Sequence, residues 1–176
     1  MDKILEPFLK NIRKEFHVRE LARIMKKSPT NISKYLKKYE KKGIIKSERK
    51  LNHLFFRANT QNIEFKHLKL FYNVKIIYDS GLIDFLIKEF NHPEAIILFG
   101  SFARAEDIES SDIDICMISP NKEDSELDKF EKKLKHKIQL FVLSRKDIER
   151  MKEKNKELLN NILNGINLEG YLEVFR

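Results

Sequence analysis

Residues 95–118, AIILFGSFARAEDIESSDIDICMI, decide the fold of the second part of this chain. The first five residues are all apolar, and such a short continuous run predicts a buried strand that ends at Gly100-Ser101. After a polar stretch, the run 112–118 alternates and then turns apolar, which predicts a second strand. Because side chains two apart on a strand point to the same face, Asp112 and Asp114 are expected to present their carboxylates together.

The hydrophobic pattern on both sides of these two strands predicts helices and further strands. Asn91-His92-Pro93 ends one helix, and Ser144 is suited to cap another helix that Gly165 closes. The predicted helices are residues 62–79, 82–90, 124–136 and 145–164, and the predicted further strands are residues 138–143 and 168–175. This part is therefore expected to have an α/β fold, with a small mixed sheet flanked by helices.

The first sixty residues predict three helices followed by a β-hairpin. Ser28-Pro29 marks the start of the third helix, because serine is a favoured N-cap and proline a favoured first helical residue. Its expected buried stripe consists of Ile32, Tyr35, Leu36 and Tyr39. The predicted helices are residues 2–14, 18–26 and 29–42, and the predicted strands are residues 44–48 and 53–58, joined by the polar turn Arg49-Lys50-Leu51-Asn52.

This order of elements makes a winged helix-turn-helix. Residues 18–48, VRELARIMKKSPTNISKYLKKYEKKGIIKSE, resemble the winged-helix regulators of bacteria and archaea. The resemblance implies that the third helix enters the major groove of double-stranded DNA and that the hairpin reaches phosphates. The residues expected to contact DNA are Thr30, Asn31, Ser33, Lys34, Lys37 and Lys38 on the helix, and Arg49, Lys50 and Arg57 on or near the wing.

The charge distribution agrees with a DNA-binding N-terminal segment. Residues 1–60 carry 17 Lys and Arg against 6 Asp and Glu, whereas residues 61–176 carry 18 against 21. The balances are +11 and −3, and an excess of positive charge in one segment indicates that it meets a polyanion. Two alternatives remain open: the lysines form a solvated surface, or the winged helix is a protein–protein module.

Composition limits the other classes of protein. The single cysteine, Cys116, excludes an intramolecular disulfide, and no cluster of Cys and His has zinc-site spacing. The N-terminal residues lack the apolar core of a signal peptide, and no apolar run approaches membrane-spanning length, so we expect a cytoplasmic protein with no membrane contact. The polar residues 59–62 are the expected boundary between domains 1–60 and 61–176.

Residues 99–119, FGSFARAEDIESSDIDICMIS, resemble the minimal nucleotidyltransferases of the DNA polymerase β superfamily. The signature of that group is Gly-Ser, then about ten residues, then Asp-x-Asp on a strand. The resemblance implies that Gly100-Ser101 and Arg104 contact the phosphates of ATP or another nucleoside triphosphate. It also implies that Asp112 and Asp114 bind Mg²⁺ and catalyse the transfer of a nucleoside monophosphate to a hydroxyl group.

The chemistry of these residues supports a metal site independently. Two neighbouring carboxylates repel each other unless a cation lies between them, and Mg²⁺ prefers oxygen ligands that include substrate phosphates. Gly100 lets the backbone approach a phosphate, and Ser101 can donate a hydrogen bond to it. The alternative is that Asp112 and Asp114 are strand-end acids paired with surface Lys or Arg. Cys116 lies in an apolar run and is interpreted as a core residue.

Two positions depart from the pattern of this group. A third carboxylate is expected on the next strand, but Gln139 stands there, and an amide can bind a metal but cannot act as a general base. Asp128 and Glu131 on the preceding helix are candidates to replace the missing carboxylate. Ala105 stands where a glycine is common in the loop.

Two functional hypotheses follow. The first is a Mg²⁺-dependent nucleotidyltransferase that moves AMP from ATP to a partner protein, since small members of the group resemble the antitoxin half of toxin–antitoxin pairs. The second is a transcriptional regulator, in which the winged helix binds DNA and a catalytically degenerate domain binds nucleotide without turnover. Winged-helix proteins commonly bind DNA as dimers, which predicts a homodimer.

Overall fold

The computed structural model describes residues 2–120 and 126–174. They form two compact units, of which the first extends to Lys69 and the second begins at Leu70. Each unit has its own buried core and contains both helices and a sheet, which agrees with the predicted fold class. No helix among the described residues is long and apolar enough to cross a membrane.

The first unit consists of short helices and a small antiparallel sheet. In chain order it contains a 3-10 turn at Lys3–Leu5, α1 (Glu6–Lys10), β1 (Phe16–His17), α2 (Val18–Met25), α3 (Pro29–Lys41), β2 (Ile45–Lys50), β3 (His53–Ala58) and the first turns of α4 (Ile63–Ser80). β3 lies between β1 and β2 and is antiparallel to both. Three helices followed by a hairpin form the predicted winged helix-turn-helix.

The two central helices begin at residues that cap them. Ser28 Oγ accepts a hydrogen bond from Asn31 N (3.3 Å), and Pro29 is the first helical residue, which confirms the predicted start of α3. α2 has a different cap, because His17 Nδ1 accepts a hydrogen bond from Arg19 N (3.2 Å). The caps fix where both helices start, and the burial of Ile32, Leu36 and Tyr39 leaves the opposite face of α3 exposed to solvent.

The helix predicted for residues 2–14 is wrong in length, because α1 ends at Lys10. The Asn11 side chain accepts hydrogen bonds from Arg13 N (3.2 Å) and Lys14 N (3.1 Å). This local turn competes with the helical hydrogen-bond pattern and ends the helix.

The prediction that Tyr35 belongs to the buried stripe of α3 is wrong. Its side chain is 38% exposed, whereas Ile32 and Leu36 are fully buried. Lys27, in the connection between α2 and α3, lies over the Tyr35 ring with Nζ 5.6 Å from the ring centroid. The ring is therefore at the edge of the stripe, where it contacts a cation instead of the core.

The hairpin differs from the prediction at its turn. Arg49 and Lys50, predicted in the turn, belong to β2, and the turn is the two residues Leu51 and Asn52. Both have positive φ (46° and 62°), the geometry that matches the twist of two hairpin strands. β1 was not predicted, because two residues are too few to show an alternating pattern.

The second unit is a four-stranded sheet with helices. Besides the rest of α4 it contains α5 (Leu82–Glu89), β4 (Ala95–Phe99), α6 (Gly100–Ala103), β5 (Ile113–Ile118), α7 (Asp128–Leu134), β6 (Ile138–Leu143), α8 (Arg145–Lys154), α9 (Lys156–Leu163) and β7 (Ile166–Gly170). The strand order is β6-β5-β4-β7. β5 and β6 are parallel and the other neighbours are antiparallel, so the sheet is mixed, as predicted.

Helices cover both faces of this sheet. On β4, Ile96 and Leu98 belong to the cluster formed with α5 and α7, whereas Ile97 lies on the opposite face with α8 and α9. Because both faces are buried, β4 is a continuous apolar run in the sequence. Cys116 of β5 is fully buried, and burial raises the pKa of its thiol to about 12, which fits a core residue.

The single helix predicted for residues 145–164 is wrong, because two helices, α8 and α9, replace it. Asn155 interrupts them with a φ of −147°, and its side chain accepts a hydrogen bond from Leu158 N (3.2 Å). An asparagine side chain that caps a following helix ends the preceding one.

Two other predicted elements differ from the structure in their bounds. The strand predicted for residues 168–175 is β7, which ends at Gly170, where φ is 61° and a Cβ would contact the backbone of Glu94. The helix predicted for residues 124–136 is α7. Residues 124, 125 and 175 lie outside the described residues.

Candidate functional site

Gly100 lies where β4 turns into α6, and its backbone has a left-handed φ of 69°. A Cβ at this position would overlap Asp114 Oδ2, so glycine is what allows the carboxylate to lie against the turn. The antiparallel register of β4 and β5 pairs Phe99 with Asp114. This pairing brings the Gly100-Ser101 turn and the Asp114 carboxylate together.

Asp112 and Asp114 lie on either side of the first residue of β5, and both are half-buried. Burial raises the pKa of Asp114, the charge of Asp112 raises it further, and the charge of Arg104 opposes both. Repulsion between two carboxylates is relieved by a divalent cation, and their oxygens are the ligands that Mg²⁺ prefers. The residues present therefore fit one Mg²⁺ ion bound to Asp112 and Asp114.

Gln139 lies beside Asp114 in the parallel register of β5 and β6, which is the position where a third carboxylate was expected. Its Nε2 donates a hydrogen bond of 2.6 Å to Asp112 Oδ2. The amide gives the Asp112 carboxylate a hydrogen-bond donor and adds no negative charge to the site. The site therefore has two carboxylates and a neutral neighbour in place of three carboxylates.

Glu131 does not replace the missing carboxylate. It accepts hydrogen bonds from Lys137 Nζ (2.6 Å) and Ile138 N (2.9 Å), and these bonds lower its pKa. It therefore stabilises the start of β6. Within residues 2–120 and 126–174, no group of three or more His, Cys, Asp or Glu could hold a metal ion, so Asp128 does not complete such a group either.

The loop after Gly100-Ser101 folds back onto the turn. Ser101 O accepts hydrogen bonds from Arg104 N (3.2 Å) and Glu106 N (3.0 Å). The Arg104 side chain is exposed, and its Nε donates to Glu106 Oε2 (2.9 Å). Ala105 has a φ of 57°, a conformation that costs a residue with a Cβ about 1–2 kcal/mol. This conformation explains why glycine suits the position better than alanine.

The residues predicted to contact DNA lie on the surface of the first unit. Ser33 is half-buried, and the exposed residues are Thr30, Asn31, Lys34, Lys37, Lys38, Arg49, Lys50 and Arg57. Lys50 is already paired, since its Nζ lies 2.7 and 2.8 Å from the Glu15 carboxylate oxygens and this contact raises its pKa. Its charge is therefore partly neutralised within the protein.

A further basic surface, which the sequence interpretation missed, lies beside the start of α3. The concave surface there is lined by Arg19, Ala22, Arg23, Lys26, Lys27 and Pro29. The sequence interpretation considered only the buried face of α2. The signal was present in Arg19 and Arg23, which are four residues apart and therefore share the exposed face of the helix.

Two family models match the chain at the places where the structure has these sites. The model described as Polymerase beta, Nucleotidyltransferase matches residues 81–169, which is half of the chain. The model described as Winged helix-turn-helix DNA-binding matches residues 17–46. The chain belongs to the polymerase beta nucleotidyltransferase family and carries a DNA-binding winged helix-turn-helix before that domain. A search of curated proteins found no match.

Proposed function

We propose that this protein is a Mg²⁺-dependent nucleotidyltransferase that moves AMP from ATP to a hydroxyl group of a partner protein, and that its winged helix binds double-stranded DNA. The observation that supports this most directly is the contact between the Gly100 turn and the Asp114 carboxylate, with Asp112 and Arg104 beside it. A cytoplasmic location, a homodimer and an antitoxin-like role are parts of the same proposal.

The proposed reaction follows from what these residues can bind. The acceptor oxygen attacks the α-phosphorus, the bond to the oxygen bridging the α- and β-phosphates breaks, and pyrophosphate leaves. Gly100 and Ser101 offer a close backbone approach and hydrogen-bond donors to the phosphates, and Arg104 adds a positive charge. Mg²⁺ held by Asp112 and Asp114 would neutralise phosphate charge when it is bound. The proton of the acceptor passes to solvent, since Gln139 cannot take it.

A second candidate function is favoured by the hydrogen bond from Gln139 Nε2 to Asp112 Oδ2. In this alternative the second unit binds the nucleotide without turning it over, and the protein is a DNA-binding regulator that senses the nucleotide. The two candidates share the nucleotide site and the DNA interface, and they differ only in whether a neutral residue 139 permits transfer.

The variant Gln139→Asp distinguishes the two candidates. An aspartate there supplies the missing general base, and a positioned base is typically worth about 10²-fold or more in rate. The protein is incubated with Mg²⁺, ATP labelled on the α-phosphate and an extract of its source cells, and label on protein is counted. We expect transfer by the wild type and about 10²-fold faster transfer by Gln139→Asp.

The control is Gln139→Asn, which has the length of aspartate but no charge and should not accelerate the reaction. Transfer by Gln139→Asp alone would support the regulator, because the wild-type residue would then be what prevents turnover. If neither the wild type nor Gln139→Asp transfers label, nucleotidyl transfer is the wrong activity for this protein.

Two glycines with positive φ form a matched pair that tests the contact with Asp114. Gly100→Ala places a Cβ on Asp114 Oδ2, whereas Gly81→Ala, at a φ of 83°, places its Cβ where no atom lies within 4 Å. Both variants carry the backbone cost of about 1–2 kcal/mol and should melt at lower temperature. In calorimetric titrations with Mg²⁺ and ATP, we expect Gly81→Ala to bind like the wild type and Gly100→Ala not to bind. Equal binding by the two variants would show that the contact is dispensable.

A further inference from the structure

The loop between the Gly100-Ser101 turn and Asp112 is attached by a buried polar contact to Asn73 of α4, a residue outside the sequence signature. Asn73 of α4 is fully buried, and its Nδ2 donates to Phe102 O (3.0 Å) and to Asp107 Oδ1 (2.6 Å). Asp107 is itself only 2% exposed. One amide group therefore binds the loop at two points, five residues apart in sequence.

The chemistry of this contact requires a side chain at residue 73 that donates two hydrogen bonds. Both partners of Nδ2 are acceptors, so the side chain has to donate two hydrogen bonds, which a carboxylate cannot do. The other amide atom, Asn73 Oδ1, is buried without a hydrogen-bond partner among the described residues. The orientation of the amide is thus determined by the loop, and the structure tolerates an unsatisfied oxygen in order to keep it.

The two attachment points enclose the part of the loop that contributes to the nucleotide site. Arg104 and the strained Ala105, at a φ of 57°, both lie between Phe102 and Asp107. A left-handed alanine persists only where the surrounding structure imposes the conformation. The two hydrogen bonds from Asn73, which lies on an 18-residue helix, supply such a constraint.

We propose that Asn73 and Asp107 are positioning residues that hold the segment 102–107, and with it Ser101 and Arg104, in the conformation that binds the phosphates of the nucleotide. This inference rests on the proposed function for its ligand. The attachment itself does not depend on the ligand, so the two can be tested separately.

The test compares Asn73→Ala with Ser80→Ala. Ser80 is a suitable control because it is also a buried polar residue of α4, and its Oγ bonds only to Ile77 O (2.6 Å) and Leu82 N (3.1 Å) among the described residues. We expect amide hydrogen exchange in residues 102–107 to be about tenfold faster in Asn73→Ala and unchanged in Ser80→Ala. We also expect the Kd of ATP in the presence of Mg²⁺ to rise about tenfold in Asn73→Ala alone.

Each outcome decides one part of the inference. Exchange in residues 102–107 that is equal in the two variants would overturn the attachment. Faster exchange with an unchanged Kd would overturn the positioning role. A wild type that does not bind ATP would refute the proposed function, while the exchange measurement would still test the attachment. If Asn73→Ala does not fold, Asn73→Ser replaces it, because a hydroxyl donates one hydrogen bond and cannot hold both acceptors.

Discussion

Replacing both aspartates of the site, Asp112→Asn and Asp114→Asn, is expected to abolish Mg²⁺-dependent binding of ATP and to make the metal-free protein more stable. Binding is lost because neutral amides remove the two charges that attract the ion and the phosphates that accompany it. The gain in stability follows from the raised pKa of Asp114, since burial and the charge of Asp112 both disfavour its ionised form in the folded protein. A site that costs stability in the absence of its ligand is typical of function.

Thermal denaturation with and without ligand measures both effects on the same samples. Without Mg²⁺ and ATP, the variant should melt above the wild type. With ATP at about 100 times its Kd, the wild type should gain about 2.7 kcal/mol, and the variant should gain nothing. The matched control is Asp84→Asn with Glu89→Gln, two exposed acids of α5 whose replacement changes the net charge equally. A variant that ATP stabilises as much as the wild type would exclude these aspartates as ligands.

The strands and caps that carry the two sites were predictable because their signals are local. β4 was predicted with its observed bounds, since a continuous apolar run between Pro93 and Gly100 has few other interpretations. The start of α3 was equally clear, because Ser28 and Pro29 each favour that position for a separate physical reason. The register that pairs Phe99 with Asp114 has no such local signal, because the connection from Gly100 to Asp112 is long and contains α6.

The features that the sequence did not predict depend on contacts between distant residues. No sequence pattern near Asn73 indicates that its amide contacts Phe102 and Asp107, because this contact forms only when the second unit is folded. The sequence placed Gln139 on the strand that follows Asp114, but its position beside Asp114 and its hydrogen bond to Asp112 depend on the strand register and on a side-chain conformation that the sequence does not determine. The hydrophobic pattern of residues 145–164 continues past Asn155 and gives no sign that the helix ends there. The end arises because the Asn155 side chain caps α9, and this local hydrogen bond competes with the hydrogen bonds of a continuous helix.

The pairing of Lys50 with Glu15 shows why the DNA interface cannot be inferred from charge alone. Their contact joins residues 35 positions apart, and it makes Lys50 less available to phosphate than its exposure suggests. Among the described residues, Lys34, Lys37 and Lys38 of α3 form no ion pair, and Arg19 and Arg23 of α2 line a basic concave surface beside the start of α3. We therefore expect α3 and the exposed face of α2 to contribute more to DNA affinity than Lys50.

The triple variant Lys34→Gln, Lys37→Gln and Lys38→Gln is expected to weaken binding to a short random-sequence DNA duplex about 10²-fold at low salt. The three side chains are exposed on the helix that would enter the major groove, so each lost ammonium removes one phosphate contact. Each lost contact also lowers the slope of log Kd against log salt concentration by about 0.9, or about 2.7 for all three. Fluorescence anisotropy at several salt concentrations measures the affinity and the slope together.

A control variant with the same net charge separates the loss of phosphate contacts from the effect of a lower overall charge. Lys132→Gln, Lys154→Gln and Lys156→Gln remove three exposed lysines from the second unit and should leave the slope nearly unchanged. Lys50→Gln should lower the slope by less than the value of about 0.9 expected for one phosphate contact, because Glu15 already neutralises part of the Lys50 charge. If the α3 variant and the second-unit control weaken binding equally, the lysines of α3 act only through net charge. The winged helix would then have to meet DNA through another face or bind a protein instead.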